Sequence, residues 1–468
     1  MQRERPHRKH SISMTQPNLL FVFGDQWRAQ ALGYESDVNA CTPNLDHFAA
    51  ESANFRNAIS GTPVCCPYRA TLMTGQHPLT HGLFLNDVNI TSDAVPLAEC
   101  LNQAGYDTGY IGKWHIDGQG RQAFVPPERR LGFRFWRGFE CSHNYNDSPY
   151  YGDTPEKRKW EGYDAEAQTQ CACEYIRAHG TSSPDRPFAL FLSWGPPHAP
   201  YQTAPERFRK KYDPKQVVLR PNVPAKIAES AQEQLAGYYA HIEALDACFG
   251  ELLATLRDAG VEENTIIVFT SDHGDMLGCQ GMWKKQKPWE ESIRVPLLIR
   301  HPAAYGRAGR TIGEVVNAPD IMPTLLGLCG VPIPDSVQGI DASPLLRGED
   351  VPELDGALLA LHFAFHQWHE RNGGRVYRGV RTERFTYARD LDGPWLLYDN
   401  DADPYQQTNL AEQSSHAATV QRLDALTQRK LDEIGDEFLP GIEYVRPRGI
   451  MLNENGDIPT FADHGPYA

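Results

Sequence analysis

Nowhere does this 468-residue chain run apolar for the length needed to cross a bilayer, and with 41% hydrophobic residues it reads as a soluble globular protein that does not enter a membrane. Positive charge is in short supply. The 45 Lys and Arg against 60 Asp and Glu leave a formal net charge of −15, which argues against a nucleic-acid binder. An anionic ligand must therefore be held by a local cluster of cations acting against the field of the whole chain. The ten cysteines follow no regular spacing, so a reducing compartment is expected and a disulfide framework is not. Before Pro17 the residues are polar and basic, with no apolar stretch of a secretory signal, and Met14 is a candidate start. The expected location is cytoplasmic; a chain whose leader had been removed would be periplasmic or secreted. Internal repeats and low-complexity tracts are absent.

What is present is a series of short apolar runs of the kind expected of strands buried on both faces of a parallel sheet. Residues 18–24, 105–111, 188–193 and 265–270 read this way. A helix is expected from Thr42 to about Ala53, and a long one from about Ala228 to Ala259 that covers the sheet. Residues 117–165 have little periodicity and read as irregular loops. Since single cores rarely grow past roughly 250–300 residues, a large α/β domain (17–355) followed by a smaller α+β one (356–468) is expected. The composition shift at 346–356 and alternating strands at 375–387 and 395–398 support that division.

Chemistry-bearing residues cluster where these runs end. Asp25 and Gln26 follow the first strand, and Asp272 and His273 follow the 265–270 strand. Ligand sites of open α/β sheets gather at such carboxyl ends. Lys113 and His115 close another strand, and His198 sits among prolines after a third. Cys65 lies just before Pro67, at the start of a short helix that Gly75 ends, where backbone N–H groups favour anions and lower a thiol's pKa. Each of these taken alone is also what a capping carboxylate, a solvated lysine or a packed histidine looks like. His362, His366 and His369 could suggest a metal cluster, but no second ligand set of zinc-like spacing accompanies them, and a substrate-facing edge or plain packing is the better account.

The combined pattern resembles the type I sulfatases of the alkaline phosphatase superfamily. Cys65, Pro67 and Arg69, followed by Leu72, Thr74 and Gly75, match the family signature, with Gly-Lys-Trp-His at 112–115, Pro-His-x-Pro at 197–200 and the segment 281–299 around Lys285 in the same order. The resemblance implies that fold, with a mixed, mainly parallel sheet flanked by helices, and a smaller C-terminal antiparallel sheet. It implies that a maturase converts Cys65, not Cys66, to formylglycine, whose hydrate is the nucleophile. It further implies Arg69, Lys113, His115, His198 and Lys285 as catalytic residues. Asp25, Gln26, Cys65, Asp272 and His273 then surround a metal. Ca²⁺ is the family's usual metal; Gln26 and His273 stand where many members have Asp and Asn, which leaves Mn²⁺ and Mg²⁺ open. Lys284 and Lys287 compete with Lys285 by type and are expected to be solvated. The implied partner is a small sulfated substrate, expected to be a sugar. The alternatives are a phosphonate monoester or phosphodiester hydrolase, whose Asp-Gln-Trp-Arg stretch residues 25–28 resemble, and a non-catalytic sulfated-glycan binder.

Overall fold

The computed structural model describes residues 16–183 and 186–458; the basic start before Gln16 lies outside them. Among the described residues, ten strands form one mixed sheet. In chain order they are β1 (Asn18–Asp25), β2 (Ala53–Ile59), β3 (Asp107–Lys113), β4 (Phe135–Phe139), β5 (Pro149–Tyr151), β6 (Lys157–Lys159), β7 (Phe188–Pro197), β8 (Thr265–Ser271), β9 (Leu297–Arg300) and β10 (Arg310–Asn317). Their spatial order is β10-β2-β9-β8-β1-β7-β3-β4-β5-β6, with β8, β1, β7, β3 and β4 parallel and β9 and the β5–β6 end antiparallel.

β1 lies near the centre and is buried on both faces. Leu19, Phe21 and Phe23 enter a core shared with Leu72 and Met73 of the helix Cys65–Thr74 and Leu325 of the helix Ala318–Leu328. Leu20 and Val22 enter the opposite core, with Ile176 of the helix Asp164–Ser182 and Leu245, Phe249 and Leu252 of the helix Ala228–Asp258. The chain leaves β1 toward β2 on one side and returns to β3 on the other, so the carboxyl end of β1 lies at a topological switch point.

Four further strands, β11 (Ala357–Leu361), β12 (Tyr377–Arg381), β13 (Phe385–Asp390) and β14 (Gly393–Asp399), form an antiparallel sheet. One face packs Val380, Tyr387 and Leu397 on Leu423 of the helix Ala417–Ile434. Its other face sets Leu359, Leu361 and Tyr377 against Ile59 at the end of β2 and against Val64 and Met276 of the large sheet's loops. The second sheet therefore buttresses the segment that leads into Cys65, and the Ala360 amide donates to the Gly61 carbonyl at 2.8 Å.

Two expectations change. The helix ends at Ala50, and β2 starts at Ala53; its Asn54 and Arg56 interrupt the apolar run that marks the central strands. Residues 117–165 are not all loop: β4, β5 and β6 extend the sheet there, and β6 is an all-exposed Lys-Arg-Lys edge with no apolar signal to read. Among the described residues no helix is long and apolar enough to cross a membrane.

Candidate active site

Val64 is extended, and Cys65 opens the helix Cys65–Thr74, whose end at Gly75 adopts φ +65°. Cys65 is buried, and its Sγ lies 2.9 Å from Lys285 Nζ, 3.2 Å from His273 Nε2 and 3.7 Å from Asp25 Oδ1. Burial and the Asp25 carboxylate oppose its ionisation. The charges of Lys113, Lys285 and His273 outweigh them and hold the thiol well below its usual range. One helical turn on, Arg69 spans the strand ends: Nη2 donates to Asp25 Oδ2 (3.1 Å) and Asp272 Oδ2 (3.2 Å), and Nη1 to Ser193 Oγ (2.7 Å) and the Lys113 carbonyl (2.8 Å). Lys113 Nζ reaches Asp25 Oδ2 at 2.6 Å.

Gly112 explains how Lys113 comes so close. It has φ +102°, and a Cβ there would lie 2.0 Å from the Ser193 carbonyl oxygen, so only glycine lets β3 press against β7 at this point. The strand stops at Lys113, and His115 has φ +63°. Lys113 and His115 therefore do not share one extended segment; they reach the same cavity through a turn, while Trp114 between them packs edge-on to Tyr110.

The four groups Asp25, Cys65, Asp272 and His273 offer ligand atoms within 4.8 Å of one another. Burial works against the ionisation of Asp25, but Lys113, His198, Lys285 and Arg69 hold its carboxyl low. Burial and the charge of Asp25 push Asp272 up to about 6. His273 Nδ1 faces the Gly274 carbonyl at 2.9 Å, which aims Nε2 at the cluster; burial opposes the imidazolium but Asp272 favours it and raises the pKa, so a cation there would take the place of the Nε2 proton. Gln26, at φ +70°, spends its side-chain nitrogen on Asp275 Oδ2 (2.5 Å) and Tyr201 OH (3.1 Å), and its Oε1 is buried without a partner among the described residues. Two crowded carboxylates, an inward-facing imidazole nitrogen and an orphaned amide oxygen fit a hard divalent cation.

A cavity of about 500 Å³ opens over Cys65, lined also by Lys113, His115, His198 and Lys285. His198 Nδ1 faces the Ala199 carbonyl at 2.7 Å and its Nε2 faces Lys285 Nζ at 3.1 Å, with the His143 ring stacked on it at 4.4 Å. Burial, Lys285 and His143 hold this imidazole well below its usual range, so Nε2 accepts from the Lys285 ammonium. His115 Nε2 meets Asp87 Oδ1 at 2.9 Å, and Arg121 grips Asp87 through Nε (3.2 Å) and Nη2 (2.8 Å). Burial opposes the imidazolium, but Cys141, Cys66 and the Asp87 hydrogen bond keep His115 well above its usual range.

The structure thus brings together every site residue named from the sequence. It adds Asp87, Arg121, Ser193, Asp275 and Tyr201, for which no local pattern gave a signal. It corrects the two neighbouring lysines, which are not solvated. Lys287 is buried, donates to the Lys285 carbonyl at 2.7 Å, sits over the Trp368 ring and is pushed down to about 7, chiefly by burial. Lys284 is half-buried over the Tyr201 ring. The three histidines near 366 diverge: His362 is buried by Asp436, His366 lines the cavity beside Asp457, and His369 accepts from the Arg371 amide. Trp27 and Arg28 turn away from the site, toward Phe269 and Tyr239.

A family model described as sulfatase matches residues 17–331, and one for the C-terminal part of N-sulphoglucosamine sulphohydrolase matches residues 278–433. An ulvan-active sulfatase of Formosa agariphila is 43% identical over 444 residues, covering 94% of this chain and 86% of that protein. A Bacteroides thetaiotaomicron structure described under the metabolism of multiple glycosaminoglycans superposes with a TM-score of 0.81 at 28% identity, covering 92% of this chain and 99% of that one. The phosphonate monoester hydrolase of Agrobacterium radiobacter gives 0.71 at 25% identity, covering 94% and 99%.

Proposed function

Since this chain belongs to the sulfatase family of sulfuric ester hydrolases, we propose that it removes a sulfate ester from a carbohydrate, with a formylglycine nucleophile at position 65 and a divalent cation beside it. The observation that carries this reading is the placement of Cys65 Sγ, 2.9 Å from Lys285 and 3.2 Å from His273, at the carboxyl ends of β1 and β8. That sulfur stands in for the oxygens of the aldehyde hydrate. The hydrate supplies two hydroxyls, one to attack sulfur and one whose deprotonation later expels sulfate and restores the aldehyde. Asp25, Gln26, Asp272 and His273 would hold the cation, which when bound polarises a sulfate oxygen as a Lewis acid.

The chain's own groups do the rest. Arg69, Lys113 and Lys285 form a buried cationic frame around position 65, preorganised for the charge on the sulfuryl oxygens. The proton for the departing alcohol resides on Lys285 Nζ, and His198 Nε2, 3.1 Å away, relays it to the leaving oxygen. His115, after losing its own proton to solvent, would take that of the second hydroxyl, and Asp87, braced by Arg121, stabilises the imidazolium so formed.

Mass spectrometry of residue 65, together with rates on sulfated sugars, an aryl sulfate and a phosphonate monoester, tests the reading. An unmodified thiol in active protein, or faster phosphonate than sulfate cleavage, would sink it. The phosphonate alternative has the Agrobacterium radiobacter likeness in its favour, but Trp27 and Arg28, which prompted it in sequence, serve packing.

Two results are expected. Asp87→Asn should lower kcat by about 10²-fold or more, since it removes the charge that favours proton capture by His115. Sulfated residue 65 should accumulate in quenched samples; slowing without that adduct would move Asp87 out of the expulsion step. Exhaustive chelation should abolish turnover and lower the thermal midpoint, because Asp25 and Asp272 are left facing each other. Ca²⁺, Mn²⁺ and Mg²⁺ added singly would identify the ion, and full activity in a preparation free of metal would refute the site.

A further inference from the structure

The cavity over Cys65 does not end at the reacting centre. Ala199, Pro200, Lys284 and Gln367 line it and also line a neighbouring cleft of about 670 Å³ that continues past Trp283 to Lys287 and Trp368. The side chains of this cleft are unusual for a protein of net charge −15. Lys284 Nζ lies 5.1 Å from the centre of the Tyr201 ring, and Lys287 Nζ lies 4.7 Å from that of Trp368. Neither lysine forms an ion pair among the described residues, although Lys287 is 3% exposed and burial depresses both. Among the described residues Asp275 is the one carboxylate whose charge reaches both, without an ion-pair contact, and a desolvated ammonium over an aromatic ring is costly unless a further anion completes it. Trp283 is half-buried at the same cleft and stacks on no other ring among the described residues.

We propose that this cleft is a second subsite, which takes an anionic sugar adjoining the sulfated one, with its acidic group at Lys284 and Lys287 and a ring face against Trp283. The proposal rests on the sulfate-ester reading of the adjoining cavity. It adds that the natural substrate carries a further carboxylate or sulfate one residue away from the ester that is cleaved. Sugar rings present apolar C–H faces that stack on an indole, and the lysines supply the charge selection that an indole lacks. The backbone of Lys284 is held independently of its side chain: its amide donates to Asp275 Oδ1 at 2.8 Å and its carbonyl accepts from the Met276 amide at 2.9 Å. Lys284→Met therefore removes the charge without loosening the turn that carries Lys285.

The test compares wild type, Lys284→Met and Trp283→Ala on three sulfated oligosaccharides of equal length. One has a uronate beside the sulfated sugar, one a second sulfate there, and one a neutral sugar; nitrophenyl sulfate serves as a substrate with no neighbour. Wild type should favour an anionic neighbour, the better of the first two naming the acidic group. Both variants should raise KM for that substrate about tenfold or more, Lys284→Met by the loss of a charge-assisted hydrogen bond and Trp283→Ala by the loss of the stacked apolar face. Their kcat/KM on nitrophenyl sulfate should stay within about twofold, since neither residue touches the reacting atoms in this scheme. Calorimetric binding of the already desulfated uronate oligosaccharide gives a readout that needs no turnover, and Lys284→Met should weaken it by the same factor. Unchanged KM and unchanged binding in both variants, or equal use of the neutral oligosaccharide by wild type, overturns the subsite. Absence of hydrolysis with intact, lysine-dependent binding would count against the sulfatase reading alone.

Discussion

Replacing Cys65 with serine is expected to reduce steady-state turnover by roughly 10⁴-fold or more, the scale on which loss of a covalent nucleophile is felt. The cause is specific. A serine at this position keeps one oxygen within the frame of Lys285, Lys113 and Arg69, so a first transfer of the sulfuryl group remains feasible. It lacks the second hydroxyl from which His115 would draw a proton, so the ester formed in that first transfer has no internal route to collapse. The serine variant should therefore gain the mass of one SO₃ group on residue 65 and stop, whereas Cys65→Ala should be inactive without an adduct. Serine is close in volume to cysteine, and the thermal midpoint should barely move. A serine variant that turns over repeatedly would exclude the two-hydroxyl mechanism.

Asp436→Asn is expected to cost on the order of 3–5 kcal/mol of stability, because it strands a buried guanidinium. Arg378 on β12 is fully buried. Its Nε and Nη2 donate to Asp436 at 2.5 and 3.2 Å, Nη1 to the Leu361 and Tyr377 carbonyls at 2.9 Å, and Nη2 also to Tyr444 OH at 3.1 Å. The pair ties β11, β12 and the turn after the helix Ala417–Ile434 into the sheet that buttresses the Cys65 segment. Burial opposes the Asp436 charge, but the His362 hydrogen bond and Arg378 hold its carboxyl far below the usual range. A carboxyl lowered on folding stabilises above its unfolded pKa, about 3.9, and loses that contribution as pH falls toward its folded value. The deficit of the variant in denaturant unfolding should thus be full at pH 7 and shrink below about pH 4. A deficit that does not change with pH would mean that packing, not charge, is what Asp436 contributes. Activity of the surviving folded protein should change little, since none of these groups lines the cavity.

Much of the candidate cluster was legible before the fold was known. β1, β7 and β8 are buried on both faces, so they must be apolar throughout, and the polar residues that end them stand out: Asp25, His198, Asp272 and His273. The spacing of Cys65, Pro67 and Arg69 is local to one helix start, and a local pattern survives without knowledge of what packs on it. β2 and the β4–β6 edge were lost for the complementary reason: half-exposed or edge strands carry mixed residues and no clear run.

The amino-acid order determined which residue types close each central strand and which cysteine opens a helix, because burial and capping act over a few residues. Only the tertiary structure decided their partners. Asp87 meets His115 across 28 positions, Trp368 covers Lys287 across 81, and the amide of Gln26 is oriented by Asp275 from 249 residues away. Contacts of that range depend on which strands become neighbours, and no short pattern encodes it. The same folding withdrew Lys287 from water and half-buried Lys284 beside the Cys65 cavity, the placement on which the proposed second subsite rests.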